Sequence, residues 1–476
     1  AAPPPPPPPP PPAPPAPESA APPKPSAEPE SKPSVGKYIP PAIRRRMAAE
    51  AAAKEGGGGD AGKPGWSDRQ SSSTDDEGMF DLELSPSGSV GSMASPTLGS
   101  GVYADPWTRA RGRAWLSGSR SITGPREENQ DTFIDVERFN LSLNGLSLNG
   151  EDADEVGLWA IFDGHRGMAC AEFLKDNLQS YLQAALAEVE AGSSADDGDA
   201  AMAERALGRA LGQLEAAFME QGKDSGQGGR PPNLTGSTAI VALLVGEQLI
   251  MGQVGDSAAI LARGRVAQAL TEPHTPGNPV EKARIEACGG WVTTETELFL
   301  GQVHRMDLRD ARIRDKASEK CRVVTIYRVC GQLAVSRAFG DADFKNFCGT
   351  EPIPEGEYYD FPDGHCQRFD GSLVSAEADI RAHALAAGDH FFLLACDGFW
   401  DVVSAEECVY FVWERLRERG VEPETLRRMV TKDVANAVAT DLADLALRSG
   451  SSDNITVVIV FIDDGDGGGA MPSLAI

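Results

Sequence analysis

Apolar residues in this chain fall into short continuous runs and longer periodic stretches, nearly all of them after about residue 110. Leu158-Trp-Ala-Ile-Phe162 and Phe391-Phe-Leu-Leu-Ala-Cys396 are continuous and rich in aromatics. Each predicts a strand buried on both faces. Both runs stop at an acid followed by glycine, Asp163-Gly164 and Asp397-Gly398, where the chain can turn sharply. The segments Ile250–Val254 and Leu333–Phe339 end alike, at Gly255-Asp256 and Gly340-Asp341. Further strands are predicted at 131–136, 238–245, 248–254, 258–262 and 455–462. Helical periodicity covers 168–190 and 201–221, and a helix from Val280 stops at the Gly289-Gly290 pair. Ser404-Ala-Glu-Glu407 is a capping box that opens a helix to about Arg419, and 423–448 predicts a third long helix. The expected class is α+β: two packed antiparallel β-sheets flanked on both sides by α-helices, an αββα sandwich.

Composition divides the chain. Residues 1–110 are rich in Pro, Ala, Gly and Ser and cannot bury enough apolar surface to offset chain entropy, so they are expected to form a disordered tail. Residues 111–464 are expected to form one folded domain, and 465–476 a short flexible C-terminal tail. The formal net charge is −27, with 71 acids against 44 bases, which argues against nucleic-acid binding and against anionic membrane surfaces. No apolar run reaches the roughly 18 to 20 residues of a membrane span. Eight cysteines without CxxC spacing indicate neither a zinc module nor a disulfide framework, and they read as reduced thiols of an intracellular protein of cytoplasm or nucleus. The sequence opens on Ala1 and leaves any upstream targeting signal undecided.

Several tail motifs compete with a plain solvated reading. Tyr38-Ile39-Pro40-Pro41, followed by a run of helix formers, is a candidate linear motif for a tail-binding partner. It is similar to the tyrosine-hydrophobic-proline-proline motif in the tails of some DEAD-box helicases. Gly57-x-x-x-x-Gly62-Lys63 spells a phosphate loop, but Pro64 replaces the required Ser or Thr and no strand precedes it, so it is rejected. Ser85-Pro86, Ser95-Pro96 and Ser71–Glu77 are candidate kinase targets. Between the strand at 131–136 and the run at 158, Leu-Ser-Leu-Asn-Gly occurs twice in tandem, at 141–145 and 146–150, and reads as a surface elaboration.

Carboxylates placed at strand ends without nearby His or Cys clusters describe an oxygen-only site for a hard divalent cation, magnesium or manganese. Nine segments in order sharpen this: Arg126–Asp131, Phe162–Gly167, Gly236–Ala239, Val254–Ser257, Leu270–His274, Glu281–Val292, Leu333–Asp341, Leu394–Asp401 and Gly450–Val457. Over about residues 112–463 the chain resembles the metal-dependent Ser/Thr protein phosphatases of type 2C. The resemblance implies hydrolysis of phosphoserine and phosphothreonine by attack of a hydroxide bridging two Mg2+ or Mn2+ ions. It implies that Asp163 bridges the metals, that the Gly164 carbonyl binds one, and that Asp397 and Asp453 bind the other. By the same resemblance Asp131 holds metal-bound waters, Arg126 binds the substrate phosphate and His165 is the general acid. Asp341 and Asp401, with Asp397, match the residues of a weaker third metal site. Asp256 and His274 lie in motifs of the family and are assigned structural roles, as are Ser257, Ser336 and Trp400.

The sequence also departs from the family pattern. Gln130 stands where many members have a metal-shell Glu, and Arg166 where a small residue is common. Between Trp291 and Arg328, in the family's flap, the chain is longer by about two dozen residues and carries a basic stretch, His304–Arg322, suited to acidic phosphopeptides. The competing reading is a pseudophosphatase acting as a regulatory binding module; the intact acids, Arg126 and His165 argue against it. A cysteine phosphatase is excluded, because no Cys is followed by Arg six positions later. The expected partners are phosphoprotein substrates, and the chain is expected to be a monomer.

Overall fold

The computed structural model describes residues 108–110, 113–139, 156–192, 198–221, 232–299, 322–345 and 359–463. The motif at Tyr38–Pro41, the candidate phosphorylation sites, the tandem pentapeptide and the basic stretch at 304–321 lie outside them. One sheet orders the strands Thr108–Ala110, Arg113–Ile122, Ile455–Asp463, Asp389–Ala395, Ala258–Arg263 and Val266–Ala269. The other orders Asp379–Ala384, Gln248–Val254, Ala239–Val245, Val156–Phe162 and Thr132–Phe139. Every pairing within the two sheets is antiparallel.

The doubly apolar runs face two different cores. Along Asp389–Ala395 and Ile455–Asp463, residues Phe392, Leu394, Val458, Val460 and Ile462 point between the sheets, where they meet Trp159, Ile161, Ile240 and Ala242. Trp159 and Phe392 touch edge-to-face with ring centroids 5.4 Å apart. The alternate residues Phe391, Leu393, Val457, Ile459 and Phe461 pack under the helices Ala405–Glu418 and Lys432–Ser449. The outer face of the second sheet buries Leu158, Ala160 and Phe162 under the helices Ala169–Ala191 and Asp199–Gln221. Each fully buried side chain of this size stabilises the fold by about 1.5 to 3 kcal/mol. Helix, sheet, sheet and helix therefore form the four layers expected from the run pattern.

Two local expectations are corrected. The stretch 423–448 is not one helix: a short helix Leu426–Met429 ends at Val430, which is extended, and Thr431 then caps Lys432–Ser449 by accepting from the Val434 amide. A β-branched Val-Thr pair favours this break, because the threonine hydroxyl satisfies an amide that a continuing helix would bond internally. The segment 333–338 is not a strand either. Leu333 and Arg337 make only isolated bridges, to Val329 and Ser375, and Phe339–Gly340 alone forms a strand, in a small sheet ordered Phe339–Gly340, Gly236–Ser237, Gly164–His165. Arg337 is held there by ion pairs to Glu281 and Asp379, and the backbone at Ser336 and Ala338 bonds His274 and Ser375. Among the described residues, no helix is long and apolar enough to cross a membrane.

Candidate active site

The inner strands of the two sheets end at the same edge of the sandwich. Val156–Phe162 delivers Asp163 there, Asp389–Ala395 delivers Cys396 and Asp397, and Gln248–Val254 delivers Asp256. Asp131 opens the strand Thr132–Phe139, while Asp453 sits just before Ile455–Asp463. Asp163, Asp256, Asp397 and Asp453 border a cleft of about 1940 Å³ that is also lined by Arg126, His165, Arg166 and the strand residues Val324–Arg328. One ligand atom each of Asp131, Asp163 and Cys396 lies within 4.8 Å of the others.

The acids crowd one another, so that a bound proton or a cation relieves their repulsion. The carboxyls of Asp163 and Asp397 are close enough to perturb each other. Burial pushes Asp163 well above the usual carboxylate range, and the charges of Asp397, Asp131 and Asp256 push it further. Burial likewise raises Asp397, with Asp453 adding to it. Asp131 is lifted to about 6 by burial, against the hydrogen bond that Thr456 Oγ1 donates to its Oδ2 at 2.6 Å. Asp401 belongs to a residue exposed overall, yet its carboxyl is pushed up to about 7 by local desolvation and by Asp397 and Asp453. Asp131 Oδ1 and Asp256 Oδ1 are buried without a hydrogen-bond partner among the described residues. Buried carboxylate oxygens that are crowded and unsatisfied are the donor set a hard divalent cation requires, so the residues present fit the implied metals.

Gly164 follows Asp163 where a side chain has no room: a Cβ would press on the Gln130 carbonyl and on Ala171. This close approach fixes its backbone at the cleft floor, with Gly164 paired to Ser237. Arg126 reaches across to Asp453 and donates through Nε to the Ser452 carbonyl at 3.1 Å. Gln130 turns its side chain to Glu128, while its amide donates to Asn454 Oδ1 at 2.9 Å.

Two further strand-end acids meet different neighbours. Asp341 does not join the acid cluster: its fully buried carboxylate faces His165 Nε2 at 2.7 Å through Oδ2 and accepts from Arg166 Nη1 at 3.2 Å through Oδ1. Each of its oxygens thus faces an imidazole or guanidinium nitrogen rather than another carboxylate. Burial alone would raise this carboxyl, but His165, Lys345 and Arg166 together bring it below the usual value. Asp256 moves the other way. It sits within the field of Asp397, Asp401 and Asp453, and burial together with those charges pushes it well above the carboxylate range. The signal for it was present in the sequence, since it ends a buried strand at a glycine just as Asp163 and Asp397 neighbour one. His274 accepts from the Gly255 amide at 3.2 Å, Ser257 bonds Thr238, and Trp400 donates to the carbonyls of Ala258 and Ala395 at 3.0 Å, all contacts within the scaffold.

Fold and site together define a class: an αββα sandwich with an oxygen-rich cation site at the mouth where the two sheets end. Among known proteins, the description of the protein phosphatase 2C family matches residues 116–455. Protein phosphatase 1F of Homo sapiens is 31% identical over 357 residues, which cover 75% of this chain and 59% of that protein, so the chain spans under two thirds of that relative. Probable protein phosphatase 2C 59 of Arabidopsis thaliana is 28% identical over 394 residues, or 82% of this chain and 92% of the relative. The crystal structure of serine-threonine phosphatase 2C from Toxoplasma gondii shares 21% identity at a TM-score of 0.47, covering 75% of this chain and 97% of that one. The chain belongs to the protein phosphatase 2C family, which is metal-dependent.

Proposed function

We propose that this protein is a metal-dependent Ser/Thr phosphoprotein phosphatase using Mg2+ or Mn2+. The observation that carries the reading is the convergence of Asp163, Asp397, Asp453 and Asp256 at the cleft with Asp131 beside Asp163, and with unsatisfied buried oxygens among them. Asp163, the Gly164 carbonyl, Asp397 and Asp453 would hold two divalent cations, with Asp131 beside them. Asp256 and Asp401, next to Asp397, are the better candidates for a weaker third position. When bound, such cations neutralise phosphoryl oxygens and make water nucleophilic at neutral pH.

The chain's own residues do the remaining work. Arg126 has a planar fork suited to two phosphoryl oxygens, and on substrate binding it exchanges its contact with Asp453 for the phosphate. His165 lines the cleft and protonates the departing Ser or Thr oxygen, a group too basic to leave as the alkoxide. The strand Arg322–Val329 borders the same cleft and would lie along the bound peptide.

The deciding assay is hydrolysis of a phosphothreonine peptide with added Mn2+, followed by chelator. Turnover that starts with the metal and stops on chelation supports the reading. Binding of the peptide without turnover at saturating metal would favour the pseudophosphatase instead. A tail-binding partner at Tyr38–Pro41 and a monomeric state are further proposals, tested by truncation at about residue 112 and by light scattering.

A further inference from the structure

His165 stands on a three-strand device that reaches far along the chain. Gly164–His165 pairs with Gly236–Ser237, and that segment pairs with Phe339–Gly340, which places Asp341 directly against the imidazole. A Cβ at Gly236 would overlap both His165 Nε2 and Asp341 Oδ2, so the pair closes only over a glycine. Asp341 adopts φ 48, a left-handed backbone that a non-glycine residue takes up at a cost, and its amide is fixed by the Thr235 carbonyl at 3.0 Å. Arg166 clamps the same carboxylate from the other side and is itself held by Asp343. Strain, a glycine cradle and a cationic clamp thus converge on one buried carboxylate whose second oxygen meets the ring.

Resting on the reading of His165 as general acid, we propose that Asp341 is the positioning residue of His165. Its Oδ2 accepts the Nε2–H bond, fixes the ring plane and leaves Nδ1 as the nitrogen that serves the leaving oxygen. In the step so arranged, a water oxygen forms a bond to phosphorus while the bond from phosphorus to the Ser or Thr Oγ breaks. The proton on Nδ1 passes to Oγ, and the ring is left as the neutral Nε2–H tautomer, still bonded to Asp341. Asp341 itself takes no proton. A carboxylate behind a catalytic imidazole works in this way by fixing tautomer and orientation.

The test compares Asp341→Asn, His165→Gln and the double variant on a phosphothreonine peptide and on an aryl phosphate, whose phenolate leaves without protonation. Asn tolerates the left-handed backbone but cannot accept from both His165 and Arg166. The expected result is a fall of roughly 10- to 100-fold in the peptide-to-aryl ratio of kcat for Asp341→Asn, with peptide KM little changed. His165→Gln should shift the ratio at least as far, and the double variant should add little to it. If Asp341→Asn slows both substrates equally, the proposal fails. If His165→Gln leaves the ratio untouched, the general-acid reading fails first. The Mg2+-induced rise in Tm should be unchanged in Asp341→Asn; a lost rise would return Asp341 to the metal ligands. Independently of activity, and of whether any variant folds, long-range 1H–15N spectra of the Mg2+-loaded parent should show neutral His165 as the Nε2–H tautomer. An Nδ1–H tautomer there overturns the proposal.

Discussion

Replacing Asp131 by Asn should stabilise the metal-free protein while impairing hydrolysis. The Asp131 carboxyl is buried, 7% exposed, and burial lifts it from 3.8 to about 6. A carboxyl raised on folding binds its proton more tightly in the native state, so its charge costs stability as pH climbs from the unfolded value through the folded one. A rise of about two units corresponds to about 3 kcal/mol at pH 8, where the group is ionised in both states, and to about half of that at pH 5. For the roughly 290 described residues of the fold, with roughly 2.1 cal/mol/K of unfolding entropy each, 3 kcal/mol is about 5 °C in Tm. Asn keeps an oxygen to accept from Thr456 and carries no charge. Calorimetry in chelator should therefore give the variant the higher Tm at pH 8, with the gap narrowing at pH 5. Saturating Mg2+ should reverse the order, because the cation relieves the repulsion in the parent. A variant no more stable than the parent in chelator at pH 8, or a gap independent of pH, would refute the electrostatic account of the cluster.

Asp163→Asn or Asp397→Asn should reduce phosphopeptide hydrolysis to background with the fold retained by circular dichroism, because each neutralises a carboxylate proposed to bind a cation directly; near-parental turnover in either would sink the ligand assignment. Arg126→Met should lower kcat/KM for a phosphopeptide by about 10- to 100-fold, the equivalent of about one charge-assisted hydrogen bond. An unchanged value in steady-state assays would take Arg126 out of phosphate binding. Replacing Arg305, Arg309, Arg312 and Arg314 together by Ser should lower kcat/KM for acidic peptides but not for a small aryl phosphate, and the difference should shrink as salt screens charges beyond about 8 Å. Equal treatment of acidic and neutral peptides at low salt would leave the stretch without a role in substrate choice.

The four-layer sandwich is legible from the sequence because its information is local. A run such as 158–162 or 391–396 has no polar face to expose, so it has to be covered twice, and amphipathic helices are the elements available to cover it. The strand-end acids Asp163 and Asp397 are legible for the same reason, since the end of a buried run is where a charge can first reach water. The break at Val430 is decided by a single threonine hydroxyl, which helical periodicity does not register. What only the tertiary structure decides is which charge each acid meets. Asp256 and Asp341 look alike in sequence, each an acid after a glycine closing an apolar segment. The first ends a strand of the inner edge and falls among Asp397, Asp401 and Asp453, whereas the second is carried by a two-residue strand to His165, 176 positions away. A carboxylate facing other carboxylates favours a proton or a cation, and one facing an imidazole and a guanidinium favours its charged form. That difference is set by packing between distant segments, and no window of sequence contains it.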